Sequence, residues 1–183
     1  MTAGSPTGAG ERDRIDRACS PALVVEVRWD PGAAETALAA FVCSADGTVL
    51  SQGHFVFRIQ PVAGDRSVFL REDHPSGSGK TAQVLVDGTV LPATASSIEL
   101  ALATIPLSGH TLGSTSAIEV AVWRPADGVA LASCSVPPPG PSSCVRLARL
   151  HVYDEEWGLE KVAQTYPKDF ASLVRDFGVQ LRD

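Results

Sequence analysis

The chain has 183 residues, of which 44% are hydrophobic and 20% are charged, and its formal net charge is −6. This length predicts one domain around a single buried core. The acidic balance without clustered Lys and Arg argues against nucleic acid or an anionic membrane surface as a partner. No apolar run approaches the roughly 18 to 20 residues that cross a bilayer.

The N-terminal residues 1–21 are rich in Gly, Pro, Ser, Thr and Ala and carry a small cluster of mixed charge. Such a composition buries too little apolar surface to offset the entropy lost on ordering, so it predicts a disordered tail followed by a domain at 22–183. The segment also lacks the apolar core of a secretory signal. We therefore expect the protein to remain in the cytoplasm.

From residue 22 onward, short β-branched and aromatic runs alternate with turns, which is typical of strands. The dipeptides Asp46-Gly47, Asp87-Gly88 and Asp127-Gly128 are turn signals between such runs. Two further strands are predicted within 145–166, around a turn at 154–156, with a slip of the apolar phase between Leu147 and Leu150 that predicts a bulge. The other predicted strands are 23–29, 38–43, 48–52, 54–59, 67–72, 82–86, 97–105, 117–123 and 129–136.

Alternation within the strands predicts the architecture. In SIELALATI, the residues Ile98, Leu100 and Leu102 point to one face, and Glu and Ala residues point to the other. Each such strand is expected to have one dry face. Antiparallel or mixed sheets with one dry face are stabilised by stacking in pairs, so the predicted fold is a mainly β sandwich.

The C-terminal stretch YPKDFASLVRDFG predicts a short amphipathic helix that docks on the sandwich. Pro167 suits its first turn, and Gly178 suits the position after its end. Its apolar residues have the spacing i, i+3, i+4 and i+7 and are Phe170, Leu173, Val174 and Phe177.

The sequence contains no orderly catalytic set. The stretch DHPSGSGKT at 73–81 is similar to a phosphate-binding loop, but His74 replaces the leading Gly and a strand follows instead of a helix. The four His residues are scattered, and none has the partner spacing of a catalytic or metal site. No C-x-x-C occurs. We therefore predict that the protein is not an enzyme.

A family resemblance rests on LVVEVRWD, on ETALAAFVCSADGTVLSQGHFVF, on the Gly-rich loop and on the ending VRLARLHVYDEEWGLEKVAQTYPKDFASLVRDFGV. Together these stretches, over about residues 22–181, resemble the TerD family of tellurium-resistance and bacterial stress proteins. The resemblance implies a β-sandwich, stress assemblies in the cytoplasm or at the membrane periphery, and calcium at an acidic site between loops.

The resemblance also implies which residues would hold calcium. Asp73 matches the first acid of the family's Gly-rich stretch, Glu35 stands at the first position of a D-x-D, and Asp30 is a third candidate. The acids that follow the second glycine are replaced here, beginning with Lys80. Calcium takes about six to eight oxygen ligands, so we expect a degraded site and no cofactor. Weak calcium coordination by Asp30, Glu35 and Asp73 is the alternative.

These observations predict a non-catalytic scaffold that contacts the protein partners of a stress or tellurite-response complex. The alternative is a calcium-responsive module of the same kind. The family's opening strand has no evident counterpart in residues 1–21. Its absence would leave a sheet edge open, through which the protein could self-associate.

Overall fold

Two antiparallel sheets pack face to face in a computed structural model that describes residues 12–32, 34–72, 79–105 and 110–182. One short helix lies near the C-terminus, and the predicted mainly β fold is confirmed. The strands are β1 (Asp13–Asp16), β2 (Ala22–Trp29), β3 (Thr36–Cys43), β4 (Phe55–Val56), β5 (Val68–Glu72), β6 (Lys80–Asp87), β7 (Ser97–Thr104), β8 (Ile118–Arg124), β9 (Val129–Val136), β10 (Cys144–Val152) and β11 (Glu156–Tyr166), and the helix is α1 (Phe170–Asp176).

The six-stranded sheet has the order β1-β11-β10-β7-β3-β4, and the five-stranded sheet has the order β5-β6-β2-β8-β9. Their inner faces enclose the core, to which Ile98, Leu100 and Leu102 of β7 contribute as their alternation predicts. Trp157 on β11 is also fully buried there. The predicted bulge in β10 is present, because its register shifts between Arg146 and Ala148. Within the described residues, no helix is long and apolar enough to span a bilayer.

The expectation of one dry face per strand is wrong for β3 and β7, in which every residue is buried. Their outer face carries small residues, including Ala39, Ala101 and Ala103, and these residues pack with Phe41 in a second apolar cluster. The helix α1 and the residues after it cover this cluster. Small side chains let the helix approach the sheet closely. The alternation of large and small residues along β3 and β7 therefore does not mean that the small ones are exposed to water.

The helix docks as predicted, but it begins later than Pro167. Asp169 is its N-cap, and the carboxylate of Asp169 accepts a 2.8 Å hydrogen bond from the backbone N–H of Ser172. At the other end, Gly178 has φ +83, which fits its predicted position after the helix. Phe170, Leu173 and Val174 are buried against the six-stranded sheet.

The predicted disordered tail is wrong for residues 12–21. β1 pairs with β11 from Asp13 opposite Leu159 to Asp16 opposite Glu156, and Ile15 is buried. Beyond β1, the carbonyl of Ser20 accepts a 2.9 Å hydrogen bond from the indole N–H of Trp157. One buried apolar side chain and backbone pairing with β11 therefore order a polar segment that composition alone predicts to be disordered. Residues 1–11 lie outside the described residues.

A second difference concerns residues 48–59, where two strands were expected. Val49 makes an isolated bridge to Cys43, a 3₁₀ turn spans Gln52–His54, and β4 has only two residues. Ser51 is the N-cap of the turn and its backbone carbonyl accepts a hydrogen bond from the N–H of His54. The local turn therefore overrides the β propensity of the flanking residues.

Candidate metal site

Three segments that the resemblance assigns to a calcium site meet at one end of the sandwich. β2 ends at Trp29 and is followed by a turn at 30–32, β3 begins at Thr36, and β6 begins at Lys80, directly opposite Trp29 in the ladder. A shallow cleft of about 310 Å³ opens beside them and is lined by Trp29, Asp30 and Lys80 among others. Any ion bound there would have to compete with the groups already in place.

Lys80 contacts both of the other segments of this region. Its ammonium group donates a 2.8 Å hydrogen bond to the backbone carbonyl of Thr36 and lies 5.9 Å from the ring centroid of Trp29. The indole N–H of Trp29 in turn donates a 2.8 Å bond to the hydroxyl of Thr36. A cation is thus already held by a carbonyl oxygen and an aromatic face, which are both favourable partners for positive charge.

Asp30 uses one carboxylate oxygen to hold its own turn. Its Oδ1 accepts a 3.0 Å bond from the N–H of Gly32, an Asx turn that favours this bend. Gly32 has φ +59, and a Cβ there would lie 2.4 Å from Oγ of Ser114. The backbone of Asp30 is further joined to Ser116 by two bonds of 3.0 Å. This carboxylate therefore has a local structural role.

Glu35 points to a different partner. Its carboxylate lies 3.4 Å from Nη1 of Arg58, and its side chain is 62% exposed. The backbone carbonyl of Glu35 accepts a hydrogen bond from Ile105. The third candidate, Asp73, lies outside the described residues.

The described residues do not fit calcium. Among them, no group of three or more His, Cys, Asp and Glu side chains is placed to hold a metal ion. Asp30 holds its own turn and Glu35 pairs with Arg58, while the ammonium of Lys80 lines the same cleft as Asp30. A hard divalent cation needs several oxygen ligands and is repelled by a neighbouring ammonium. Lys80 also opens a strand rather than a helix, which is the wrong context for a phosphate-binding loop.

The structure contains two His–carboxylate pairs that the spacing of residues in the sequence did not predict. His54 contacts Ser51 through Nδ1 and Asp65 through Nε2, each at 2.8 Å. Burial raises the pKa of Asp65, but hydrogen bonds from Ser67 and His54 outweigh it, and the pKa is lowered overall. The only local signal was Asp65-x-Ser67, an Asx pattern in which Asp65 also accepts from the N–H of Ser67 at 2.9 Å.

The second pair belongs to a polar row on the outer face of the six-stranded sheet. In register across β7, β10 and β11 stand Glu99, Arg149 and Glu160, and His151 contacts Glu160. Glu99 is buried and also accepts a 3.0 Å bond from Arg146. The hydrogen bond from His151 lowers the pKa of Glu160, with Arg149 and Arg12 adding to it. Glu99 lies 50 residues from Arg149 in the sequence, so only the order and register of the strands reveal the row.

The acidic run at 154–156 contains no buried pair of carboxylates. Asp154 and Glu155 are exposed, as expected for a turn, and Glu156 lies 3.6 Å from Arg14. The three acids line a wide, open cleft of about 1280 Å³ together with Arg14 and Arg17. Charges of both signs in an open cleft are screened by solvent, so the cleft gives no carboxylate an unusual environment.

A family model shows the family of the chain, and two solved structures show a similar fold. The family model of the TerD domain matches residues 14–177. A crystal structure of a protein of unknown function aligns with a TM-score of 0.66 and 16% identity over 88% of this chain and 99% of that chain. A homologue of the telluride resistance protein (TerD) from Streptomyces coelicolor A3(2) aligns with a TM-score of 0.65 and 14% identity over 85% of this chain and 95% of that chain. No curated protein matches the chain.

Proposed function

The chain belongs to the TerD family, and from this premise we propose that it is a non-catalytic scaffold that contacts the protein partners of a cytoplasmic stress or tellurite-response complex. In this proposal it works without a cofactor, because the family's calcium site is degraded. The proposal depends on what stands at that site rather than on the fold, since one fold supports many functions.

The observation that carries the proposal is the position of Lys80. Its ammonium is bonded to the carbonyl of Thr36 and lies near the face of Trp29, where three site segments meet. The ammonium of Lys80 supplies a positive charge at this position without an ion from solution. Even at an effective dielectric near 20, an ammonium group raises the energy of a divalent ion a few ångströms away by several kcal/mol.

Titration of the wild type with calcium tests this proposal. We expect no heat of binding in calorimetry and no rise in the thermal midpoint, since only a ligand that binds the native state stabilises it. Lys80→Asp should gain a calcium-dependent rise, because the substitution removes the ammonium and adds a carboxylate. Lys161→Asp, which makes the same charge change at an exposed position of β11, is the matched control. Sub-micromolar affinity in the wild type would refute the degraded site.

A calcium-responsive module is the second candidate. It is favoured by Asp30, which lines the open cleft beside Lys80, where a rearranged lysine would leave room for an ion. In this version Asp30, Glu35 and Asp73 coordinate weakly. The thermal midpoint would then rise in millimolar calcium, and Asp73→Ala would abolish the rise. A midpoint that ignores calcium eliminates this candidate.

The absence of turnover is part of the proposal and has its own test. In the chain Ser51–His54–Asp65, the serine and histidine belong to one tight turn, with Ser51 as its N-cap, which supports a structural role. We expect neither ester hydrolysis nor nucleotide binding. Ester hydrolysis that disappears in Ser51→Ala, or ATP binding that disappears in Lys80→Ala, would contradict a non-catalytic scaffold.

A further inference from the structure

An apolar groove lies between α1 and β4, the edge strand of the six-stranded sheet. Its volume is about 270 Å³, and its described lining is apolar except for one side chain, that of Arg58. Pockets for small molecules have this composition, because apolar walls supply affinity and a few polar groups orient the ligand. The groove is far from the cleft beside Lys80 in its chemistry, since its described lining contains no carboxylate.

Three phenylalanine rings form one wall of the groove and hold one another in place. The ring of Phe57 lies 5.7 Å from that of Phe55 and 5.1 Å from that of Phe170, measured between centroids. Phe55 also stacks at 5.0 Å on fully buried Phe41, which anchors the wall to the sheet. A wall that is fixed before binding loses little conformational entropy when a ligand enters.

Apolar side chains at this groove are in contact with water. Ile59 is 84% exposed and Leu181 is 38% exposed, and both line the groove. A ligand that covers them removes apolar surface from water, which is favourable. An apolar cavity of about 150 Å³ holds a benzene ring, so in proportion a groove of 270 Å³ holds about ten carbon atoms.

Arg58 gives the groove a preference for one sign of charge. Among the described residues its ion-pair partner is Glu35, whose carboxylate lies 3.4 Å from Nη1 and whose side chain is 62% exposed. Bonds between guanidinium and carboxylate groups are usually about 2.7–2.9 Å long. The pair is therefore weak. Since a guanidinium group carries several N–H donors, Arg58 can bind a second carboxylate.

We propose that the groove binds an amphipathic carboxylic acid, with an apolar chain of about ten carbon atoms against the phenylalanine rings and the carboxylate on Arg58. This inference goes beyond the proposed scaffold function, which needs no small ligand. An ammonium head group on the same chain would instead be repelled by the guanidinium. The net charge of −6 acts on the ligand from farther away and is screened beyond about 8 Å at physiological salt.

Calorimetric titration of the full chain with decanoate and with decyltrimethylammonium, both below the concentrations at which they form micelles, tests the head group. We expect one decanoate per chain and an affinity for the ammonium that is at least about tenfold lower. Arg58→Gln should remove this difference by weakening decanoate about tenfold. Arg28→Gln is the matched control, because Arg28 is also exposed and paired with one carboxylate but lies on the other sheet.

Glu35 gives a sharper test, because its carboxylate competes with the ligand for Arg58. Glu35→Gln should therefore raise the affinity for decanoate several-fold and leave that for decyltrimethylammonium unchanged or lower. Glu119→Gln removes an exposed carboxylate from β8, away from the groove, and should change neither affinity. A role of Arg58 in the fold alone predicts no gain in Glu35→Gln.

Two substitutions test where the chain of the ligand lies. Ala171→Phe places a ring in the groove from α1 and should abolish binding of decanoate, with the thermal midpoint as a check on folding. Ile59→Ser changes a side chain that is almost fully exposed, so it should leave the fold intact and weaken decanoate several-fold. Val90→Ser, at a position 47% exposed and outside the groove, is the control.

Four results would overturn the inference. Decanoate could fail to bind both the wild type and Glu35→Gln, or it could bind Arg58→Gln as tightly as the wild type. Binding that persists in folded Ala171→Phe would place the ligand elsewhere. A dimer in sedimentation that Ile59→Ser abolishes would show that a second copy occupies the groove. None of these results changes the outcome of the calcium and turnover tests, so the two proposals fail separately.

Discussion

β3 in the six-stranded sheet and β2 in the five-stranded sheet each have eight residues, yet all eight residues of β3 are buried while β2 alternates between buried and partly exposed positions. The difference lies outside the sandwich core. β2 has solvent beyond its outer face, whereas β3 has a layer of aromatic residues and α1. The outer layer, not the strand itself, decides whether a strand has one buried face or two.

The outer layer is itself divided by the register of the six-stranded sheet. Phe55 of β4 stands opposite Phe41 of β3, and Phe41 stands opposite Glu99 of β7, which begins the polar row. Apolar stacking stabilises one half, and paired charges stabilise the other. Substitutions on this face should therefore cost far more than substitutions on the outer face of the five-stranded sheet.

Phe41→Ala should produce the largest loss. Phe41 is fully buried, and its ring stacks on Phe177 at 4.2 Å and on Phe55 at 5.0 Å between centroids. Removing a buried phenyl ring costs roughly 3–5 kcal/mol of unfolding free energy, measurable by urea denaturation. Phe69→Ala, on half-exposed β5, is the control and should cost below about 1 kcal/mol. Equal losses would remove the distinction between the two faces.

Glu99→Ala should rank second. The side chain of Glu99 is 6% exposed and serves Arg146 and Arg149, whose side chains are 23% and 32% exposed. Removing the shared acid takes one carboxylate partner from each guanidinium group, but Arg149 keeps Glu160 at 3.6 Å and Arg146 keeps the amide oxygen of Gln164 at 3.4 Å. Because both groups also reach solvent, we expect about 2 kcal/mol rather than the full cost of a buried charge. Glu119→Ala on the outer face of β8 should change the urea midpoint little. A neutral effect of Glu99→Ala would mean that solvent replaces the pair.

The same division explains how far the sequence predicted the molecule. Hydrophobic alternation and turn dipeptides are local, so most strands and the helix were predictable from them. By contrast, nothing in the sequence around Ala101 and Ala103 shows whether these alanines face solvent or a helix. Likewise, Ile15 is one apolar residue in a polar segment, and only its pairing with β11 gives it a buried place.

The candidate site shows the same limit. The loss of acids around Lys80 can be read from the sequence, but its bond to the carbonyl of Thr36 depends on the start of β3 lying beside the start of β6. The pairing of Glu35 with Arg58 also depends on distant loops meeting. The residue types in the sequence thus show which side chains could bind an ion. Whether each carboxylate is free to do so depends on the tertiary contacts that compete for it.

Gly178 at the end of α1 and Gly47 in the turn after β3 offer a smaller, matched comparison. Gly178 and Gly47 both have φ +83, but a Cβ at Gly178 would lie 3.2 Å from Cβ of Thr48, while one at Gly47 would meet nothing within 4 Å. Gly47→Ala should cost about 1 kcal/mol through the backbone alone. Gly178→Ala should cost more by the contact with Thr48. Equal thermal midpoints for the two variants would show that α1 shifts without cost.

The smallest expected effect is on the pH dependence of stability, and it should be traceable to one carboxylate of the six-stranded sheet. Because the hydrogen bond from His151 lowers the pKa of Glu160 in the folded state, this carboxylate stabilises the fold above its unfolded pKa of about 4.3. That contribution is lost as the pH falls through the folded value. Glu160→Gln should therefore flatten the fall in urea midpoint on acidification. Asp154→Asn in the exposed turn should leave the fall unchanged, and an unaltered profile in Glu160→Gln would assign the acid sensitivity to other carboxylates.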